Sequence, residues 1–114
     1  FIQCSFPDPH HPFTPPGRYW DMYDPASISV PASFGLGESP MLRHMREDLA
    51  GGDAKRQGTL PYAVTEREAR EAIALTYGMI TMIDDAVGQV IKPLADNGLA
   101  DDTIVVFVSD PGDF

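Results

Sequence analysis

The chain has 114 residues, 43% of them hydrophobic, which is enough for one domain and argues against wholesale disorder. Its 8 basic and 17 acidic residues give a net charge of −9, which argues against nucleic acid and anionic membranes as partners. The single cysteine, Cys4, excludes an internal disulfide, and no apolar stretch is long enough for a transmembrane helix.

The first half of the chain is predicted to be mostly loop. Residues 1–6 (FIQCSF) have the character of a strand end, which makes Cys4 an expected core residue. The loop that follows, residues 7–40, carries eight of the eleven prolines and five aromatic side chains. Because it is too aromatic for a solvated linker, we expect it to pack on the body of the protein. Residues 41–49 are predicted to form a short helix, ended by Gly51 and Gly52.

The clearest element is a long helix at residues 65–97. Thr65 and Glu68 have the spacing of a capping box, which marks a helix start. Apolar residues then recur with the helical period as far as Leu94, and Asn97-Gly98 is a C-terminal stop signal. The predicted helix is roughly 45 Å long, with a kink or an end near residues 89–92 because of Pro93.

The last element is predicted to be a core strand at residues 103–109. Ile104 to Val108 are five consecutive apolar residues, a run typical of a strand buried on both faces. The order strand, loop, long helix, strand is that of a crossover connection, which joins parallel strands. We therefore predict an α/β fold in which parallel strands are joined by a long helix. The residues after Phe6 and after Val108 should then meet at one sheet edge.

Candidate catalytic residues follow both predicted strands. His10 and His11 lie among prolines after the first strand, and Asp110 follows the last. Imidazole is a common metal ligand and proton shuttle, and a carboxylate suits a hard cation. Each residue alone is more typical of a surface or turn position. Their expected meeting at one sheet edge makes them a candidate site.

Two stretches have a distinctive pattern, SFPDPHHPFTPPGRYWDMYDP at residues 5–25 and REAIALTYGMITMIDDAVGQVIKPLADNGLADDTIVVFVSDPGD at residues 70–113. They resemble the sulfatase family of the alkaline phosphatase superfamily. Both look most similar to bacterial choline-sulfatase-like and phosphonate-monoesterase-like members. The resemblance implies a three-layer alkaline-phosphatase-like core, of which this chain supplies part. It also implies that His10 binds or protonates the leaving group. Asp110 is then a ligand of a divalent cation, usually calcium or manganese.

The sequence departs from the family pattern at two places. Pro111 stands where the family usually has a second metal ligand, His or Asn, and a proline side chain has no donor atom for a metal, so we expect this chain to bind the cation weakly if at all. The family motif Cys/Ser-x-Pro-x-Arg, whose first residue becomes the formylglycine nucleophile, is not matched. Residues 4–8 have proline one place late, and residues 5–9 have proline where arginine is needed.

These departures lead to the expectation of an internal segment that is inactive by itself. The chain begins with Phe1 and shows no signal peptide, which leaves its compartment open, with the cytoplasm slightly favoured. The expected function is that of a segment of a metal-dependent sulfuric ester hydrolase acting on a small sulfate ester. The alternatives are a phosphonate or phosphate ester hydrolase as the parent, or a non-catalytic truncated remnant. Because a doubly buried strand needs neighbours on both edges, we also predict a homo-oligomer, with no nucleic acid or membrane partner.

Overall fold

A computed structural model describes residues 1–51 and 64–109 of the chain. Two short 3₁₀ turns, Gly17–Tyr19 and Pro25–Ser27, lie in the proline-rich loop. Helix α1 spans Pro40–Gly51 and helix α2 spans Glu66–Asp96. The predicted short helix is thus confirmed, although Gly51 is its last residue and Gly52 lies outside the described residues. Within the described ranges, no helix is both long enough and apolar enough to cross a membrane.

The ends of α2 are set by local hydrogen bonds. The backbone N–H of Thr65 donates to the Glu68 carboxylate at 2.8 Å, and the Glu68 N–H donates to the Thr65 hydroxyl at 3.3 Å. At the other end, Gly98 has a φ of 68°, which a glycine adopts without strain. Its N–H donates to Ala95 O at 3.1 Å, and the Leu99 N–H donates to Leu94 O at 2.8 Å. This is a Schellman motif, and it confirms the predicted C-terminal stop.

Pro93 does not end the helix. Helix α2 continues through residues 89–92 and stops at Asp96. A proline here removes the one N–H that would bond to the Gln89 carbonyl. Gln89 is exposed, so water can replace that donor. Of the predicted kink or end near residues 89–92, the end is not observed, and the long helix predicted at residues 65–97 is present.

No β-strand occurs within residues 1–51 and 64–109. The strands predicted at residues 1–6 and 103–109 are therefore not formed in this structure, and neither is their parallel pairing. Both segments are extended chain without regular structure, and Ile104 is 92% exposed. A β-strand needs a neighbouring strand for its backbone hydrogen bonds. The apolar run at 104–108 favours burial, but its own residues cannot provide that neighbouring strand. The three-layer α/β core is not shown.

The proline-rich loop packs on α2, as predicted. Both 3₁₀ turns contact this helix, and the buried apolar side chains of the described residues are Pro15, Ile28, Ala74 and Met79. Trp20 is the exception among the loop aromatics, because it stays 55% exposed. The Cα radius of gyration is 18.8 Å, against roughly 13 Å for a compact chain of this length. The chain is elongated, and its packed region is the joint between loop and helix.

Candidate functional site

His10 lies in an open depression formed by the start of the loop. Its backbone N–H donates to Pro7 O at 3.3 Å, which closes a turn in the chain. The depression is lined by Pro7, Asp8, His10, His11, Pro12 and Thr14. Both histidines are exposed. A substrate could therefore reach the His10 ring from solvent.

The hydrogen bond made by His10 defines which of its ring nitrogens is available. His10 Nδ1 lies 2.7 Å from the backbone carbonyl oxygen of His11. A carbonyl oxygen only accepts, so Nδ1 carries the hydrogen and Nε2 is the unprotonated nitrogen of the neutral ring. The His11 ring lies beside it, with ring centroids 4.0 Å apart. His10 can thus receive or deliver a proton at Nε2 while Nδ1 fixes the orientation of the ring.

Gly78 is the point of closest approach between loop and helix. A Cβ at this position would overlap the carbonyl oxygen of Tyr19 and would lie 3.3 Å from Pro15 Cγ. Gly78 and Pro15 are both buried. The loop backbone therefore crosses α2 where the helix has no side chain, and only glycine fits there.

A charged cluster joins the loop to α2 further along. The Tyr19 hydroxyl donates to Asp85 Oδ2 at 2.7 Å, and the Arg18 guanidinium pairs with the same oxygen. Arg18 also lies 4.9 Å from the centroid of the Tyr19 ring. The Tyr19 hydrogen bond, followed by that of Arg18, lowers the pKa of Asp85. The same cluster raises the pKa of Arg18, through Tyr19 first and Asp85 second. All of these contacts favour an ionised Asp85.

Further contacts lie on the same face of the helix. The Tyr23 and Thr81 hydroxyls are 2.8 Å apart, and the Tyr23 ring packs edge-on against Tyr77 at 5.6 Å. The Arg70 guanidinium donates to the carbonyl oxygen of Ile28. We call this set of contacts the loop–helix joint. Its members on α2 lie on one face of the helix, and they are Arg70, Tyr77, Gly78, Thr81 and Asp85.

The metal ligand expected from the sequence is not placed. Asp110 and Pro111 lie outside the described residues, so their distance from His10 is not defined. Within residues 1–51 and 64–109, no group of three or more His, Cys, Asp or Glu side chains could hold a metal ion. These residues therefore do not fit the family's cation by themselves. Cys4 is exposed in this structure, so the expectation of a core cysteine is wrong.

Sequence reasoning missed the residues of the loop–helix joint that matter most, Gly78 and Asp85. Gly78 carried a usable signal, since a glycine inside a helical pattern often marks a close packing contact. Asp85 carried none, because its partners Arg18 and Tyr19 are 67 and 66 residues away in sequence.

Comparison with known proteins gives a consistent result. The family model described as Sulfatase matches residues 1–113. The chain is 32% identical to an arylsulfatase of Clostridium perfringens, over 99% of this chain and 22% of that protein. It is 27% identical to a choline-sulfatase of Rhizobium meliloti, over 98% of this chain and 21% of that protein.

A third relative carries a broader name. The multifunctional alkaline phosphatase superfamily protein PehA of Trinickia caryophylli is 29% identical, over 99% of this chain and 23% of that protein. The chain thus spans less than a quarter of the length of each of these relatives. No solved structure matches the chain significantly.

Proposed function

Because the chain belongs to the sulfatase family, we propose that it is part of a sulfuric ester hydrolase and carries the histidine that acts on the leaving group. The observation that carries this proposal is His10, which stands in the stretch Pro9-His10-His11-Pro12 with an exposed side chain and with Nδ1 bonded to the His11 carbonyl. Relatives named arylsulfatase and choline-sulfatase support a sulfate ester as the substrate class.

The chemistry of His10 follows from its hydrogen bond. When the S–O bond of a sulfate ester breaks, the departing oxygen becomes negatively charged and is stabilised by a proton. A protonated His10 can donate that proton from Nε2 as a general acid. Its Nδ1–H stays bonded to the His11 carbonyl throughout, so the ring does not rotate as the proton leaves. His10 is accordingly proposed as a catalytic residue.

The described residues do not provide the rest of such a mechanism. They contain no metal-binding group, and the sequence lacks the Cys/Ser-x-Pro-x-Arg motif. Asp110 remains a proposed ligand for calcium or manganese. We expect the 114-residue chain on its own to hydrolyse no sulfate ester, since loss of a nucleophile alone removes several kcal/mol of transition-state stabilisation, roughly a thousandfold in rate.

The α/β core is part of the same proposal. The run at residues 104–108 has the composition of a strand buried on both faces, and its side chains are exposed here. We propose that it becomes a core strand where a sheet is available to pair with it. The exposed apolar residues Ile80 and Val90 of α2, together with this run, are also the basis for the proposed homo-oligomer. Light scattering of the purified protein tests that proposal.

Two alternatives keep specific support. A phosphonate or phosphate ester is the first alternative substrate, and the relative PehA, whose name places it in the alkaline phosphatase superfamily, supports it. The unmatched nucleophile motif favours a non-catalytic remnant. The assay described next separates both from a sulfatase.

The test is hydrolysis of 4-nitrophenyl sulfate and of a 4-nitrophenyl phosphonate by the intact protein, that is, the hydrolase of which this chain is proposed to be part, with calcium or manganese added. We expect the sulfate to be preferred and His10→Ala to lower its turnover by about a hundredfold or more. His44→Ala is the matched control, because it removes an exposed imidazole on α1, outside the depression that holds His10. A preference for the phosphonate would support the second substrate class. No turnover by a protein whose intact mass is 12.5 kDa would support the remnant.

A further inference from the structure

Asp85 holds two adjacent residues of the loop with one oxygen atom. Its Oδ2 accepts from the Tyr19 hydroxyl at 2.7 Å and pairs with the Arg18 guanidinium. The Arg18 guanidinium also donates to the Tyr19 hydroxyl at 3.2 Å, so the three groups form a closed cluster. The Asp85 side chain is 38% exposed and the joint beside it is packed. Loss of this carboxylate would release the loop at two neighbouring positions together.

The anchored residues are connected to His10 by a short, proline-rich segment. Residues 11–17 separate His10 from Arg18, and three of these seven are prolines, whose φ angles are fixed. One of them, Pro15, is buried against the helix beside Gly78. The loop is therefore held on α2 from Pro15 to Tyr19, and His10 lies only five residues before the start of this held stretch. Because the connection is short, a shift of Arg18 and Tyr19 would also move His10.

We propose that Asp85 is a positioning residue for His10, which holds the loop through Arg18 and Tyr19 so that Nε2 faces the leaving-group oxygen. This inference rests on the proposed function. Proton transfer to a leaving group depends steeply on the donor–acceptor geometry, and a misplacement of about 1 Å can cost a hundredfold in rate. Asp85 touches no substrate in this account. It acts only through the loop.

A positioning role differs measurably from a general contribution to stability. The proton from His10 matters most when the leaving oxygen is strongly basic, and it matters little when the leaving group departs readily as an anion. Displacing His10 should therefore slow esters of weakly acidic phenols more than esters of nitrophenols. A loss of folded protein would slow every ester by the same factor.

The experiment compares Asp85→Asn with Asp84→Asn in the intact protein. Asp84 is the matched control, because it is the neighbouring carboxylate on the same helix, is exposed, and undergoes the same loss of charge. Turnover is measured on a series of aryl sulfates from 4-nitrophenyl sulfate to phenyl sulfate. For Asp85→Asn we expect a small loss on 4-nitrophenyl sulfate that grows to about tenfold or more on phenyl sulfate, mainly in kcat. Asp84→Asn should match the unmodified protein across the series.

The same substitution in a protein that lacks the His10 side chain tests whether Asp85 acts through His10. In a His10→Ala protein, Asp85→Asn should add little further loss, because the group that it positions is gone. A uniform loss across the aryl series, or a full additional loss in the His10→Ala background, would overturn the positioning role. Should Asp85→Asn fail to fold, Tyr19→Phe gives the same test, since it removes one donor to Asp85 and keeps the Arg18–Asp85 pair.

A readout without turnover separates this inference from the proposed function. The ring signals of His10 in an NMR spectrum should shift in Asp85→Asn and stay unchanged in Asp84→Asn. Unchanged His10 signals in Asp85→Asn would refute the positioning role whatever the protein hydrolyses. If instead the signals shift and His10→Ala costs no activity, the loop geometry stands and the proposed function fails.

Discussion

One apolar part of this chain is packed against a helix, and another is exposed to solvent. Residues 15–28 lie on α2, with Pro15 and Ile28 buried, whereas residues 104–108 are extended and exposed along their whole length. The exposed run is the more hydrophobic of the two. Apolar content therefore does not decide which part is packed. The difference lies in whether a complementary surface is present in the chain.

The packed part finds such a surface on α2. Gly78 leaves room for the backbone of Tyr19, and Asp85 accepts a hydrogen bond from the Tyr19 hydroxyl. The Thr81 hydroxyl lies within hydrogen-bond distance of the Tyr23 hydroxyl. The exposed part needs a different partner, because a strand pairs its backbone with another strand. None is formed within residues 1–51 and 64–109.

The largest contrast should come from truncating one apolar side chain in each part. Met79 is 1% exposed, and Val106 is 73% exposed. In the 114-residue chain, Met79→Ala should cost about 2–5 kcal/mol in the free energy of unfolding, whereas Val106→Ala should change it by less than about 0.5 kcal/mol. Urea unfolding followed by circular dichroism measures both. A cost above about 1 kcal/mol at Val106 would show that this run is buried in solution.

A glycine pair on α2 gives the next largest contrast. Gly78→Ala should destabilise the protein by about 1–3 kcal/mol, because the added Cβ overlaps the Tyr19 carbonyl and the loop must move. Gly88 has nothing within 4 Å of the same position, so Gly88→Ala should stabilise the helix by up to about 1 kcal/mol. Thermal unfolding of the two variants compares them directly. Equal effects would mean that the loop does not cross the helix at Gly78.

How much was predictable depends on the range of the interactions. Both ends of α2 were predicted from residues close in sequence, namely the Thr65–Glu68 capping box and the Asn97-Gly98 stop signal. Both predictions are confirmed. The strand at residues 103–109 depended on a distant partner, which its own residues cannot specify. The site divides in the same way. His10 is held by two local hydrogen bonds, one from its backbone N–H to Pro7 O and one from Nδ1 to the His11 carbonyl.

The contacts of Asp85 and Gly78 with the loop could not be predicted, because they join residues that are far apart in sequence. The contact of Asp85 with Arg18 and Tyr19 joins residues that no local pattern relates. Gly78 was readable as a packing glycine, although its partner was not. The predicted meeting of His10 with Asp110 stays a prediction, since Asp110 lies outside the described residues.

The smallest expected effect is a shift in one titration. Asp85 should titrate below the ordinary Asp pKa of about 3.9, because Tyr19 and then Arg18 stabilise its charged form. A lowered pKa means that the contribution of Asp85 to stability is present above the ordinary value and is lost as the pH falls through the lowered one. Carbon-detected NMR of the Asp85 carboxyl measures the midpoint. In Tyr19→Phe the midpoint should rise, and an unchanged midpoint would mean that the hydroxyl contact is absent in solution.

The packing of the loop on α2 is the central claim, and a proton–proton distance tests it most directly. Pro15 Cγ lies 3.3 Å from the position that a Cβ on Gly78 would occupy. In the intact protein, a nuclear Overhauser effect should therefore connect the α-protons of Gly78 with the γ-protons of Pro15. The α-protons of Gly88 should show no such effect to any loop residue. Absence of the Gly78–Pro15 signal in a well-resolved spectrum would contradict the account.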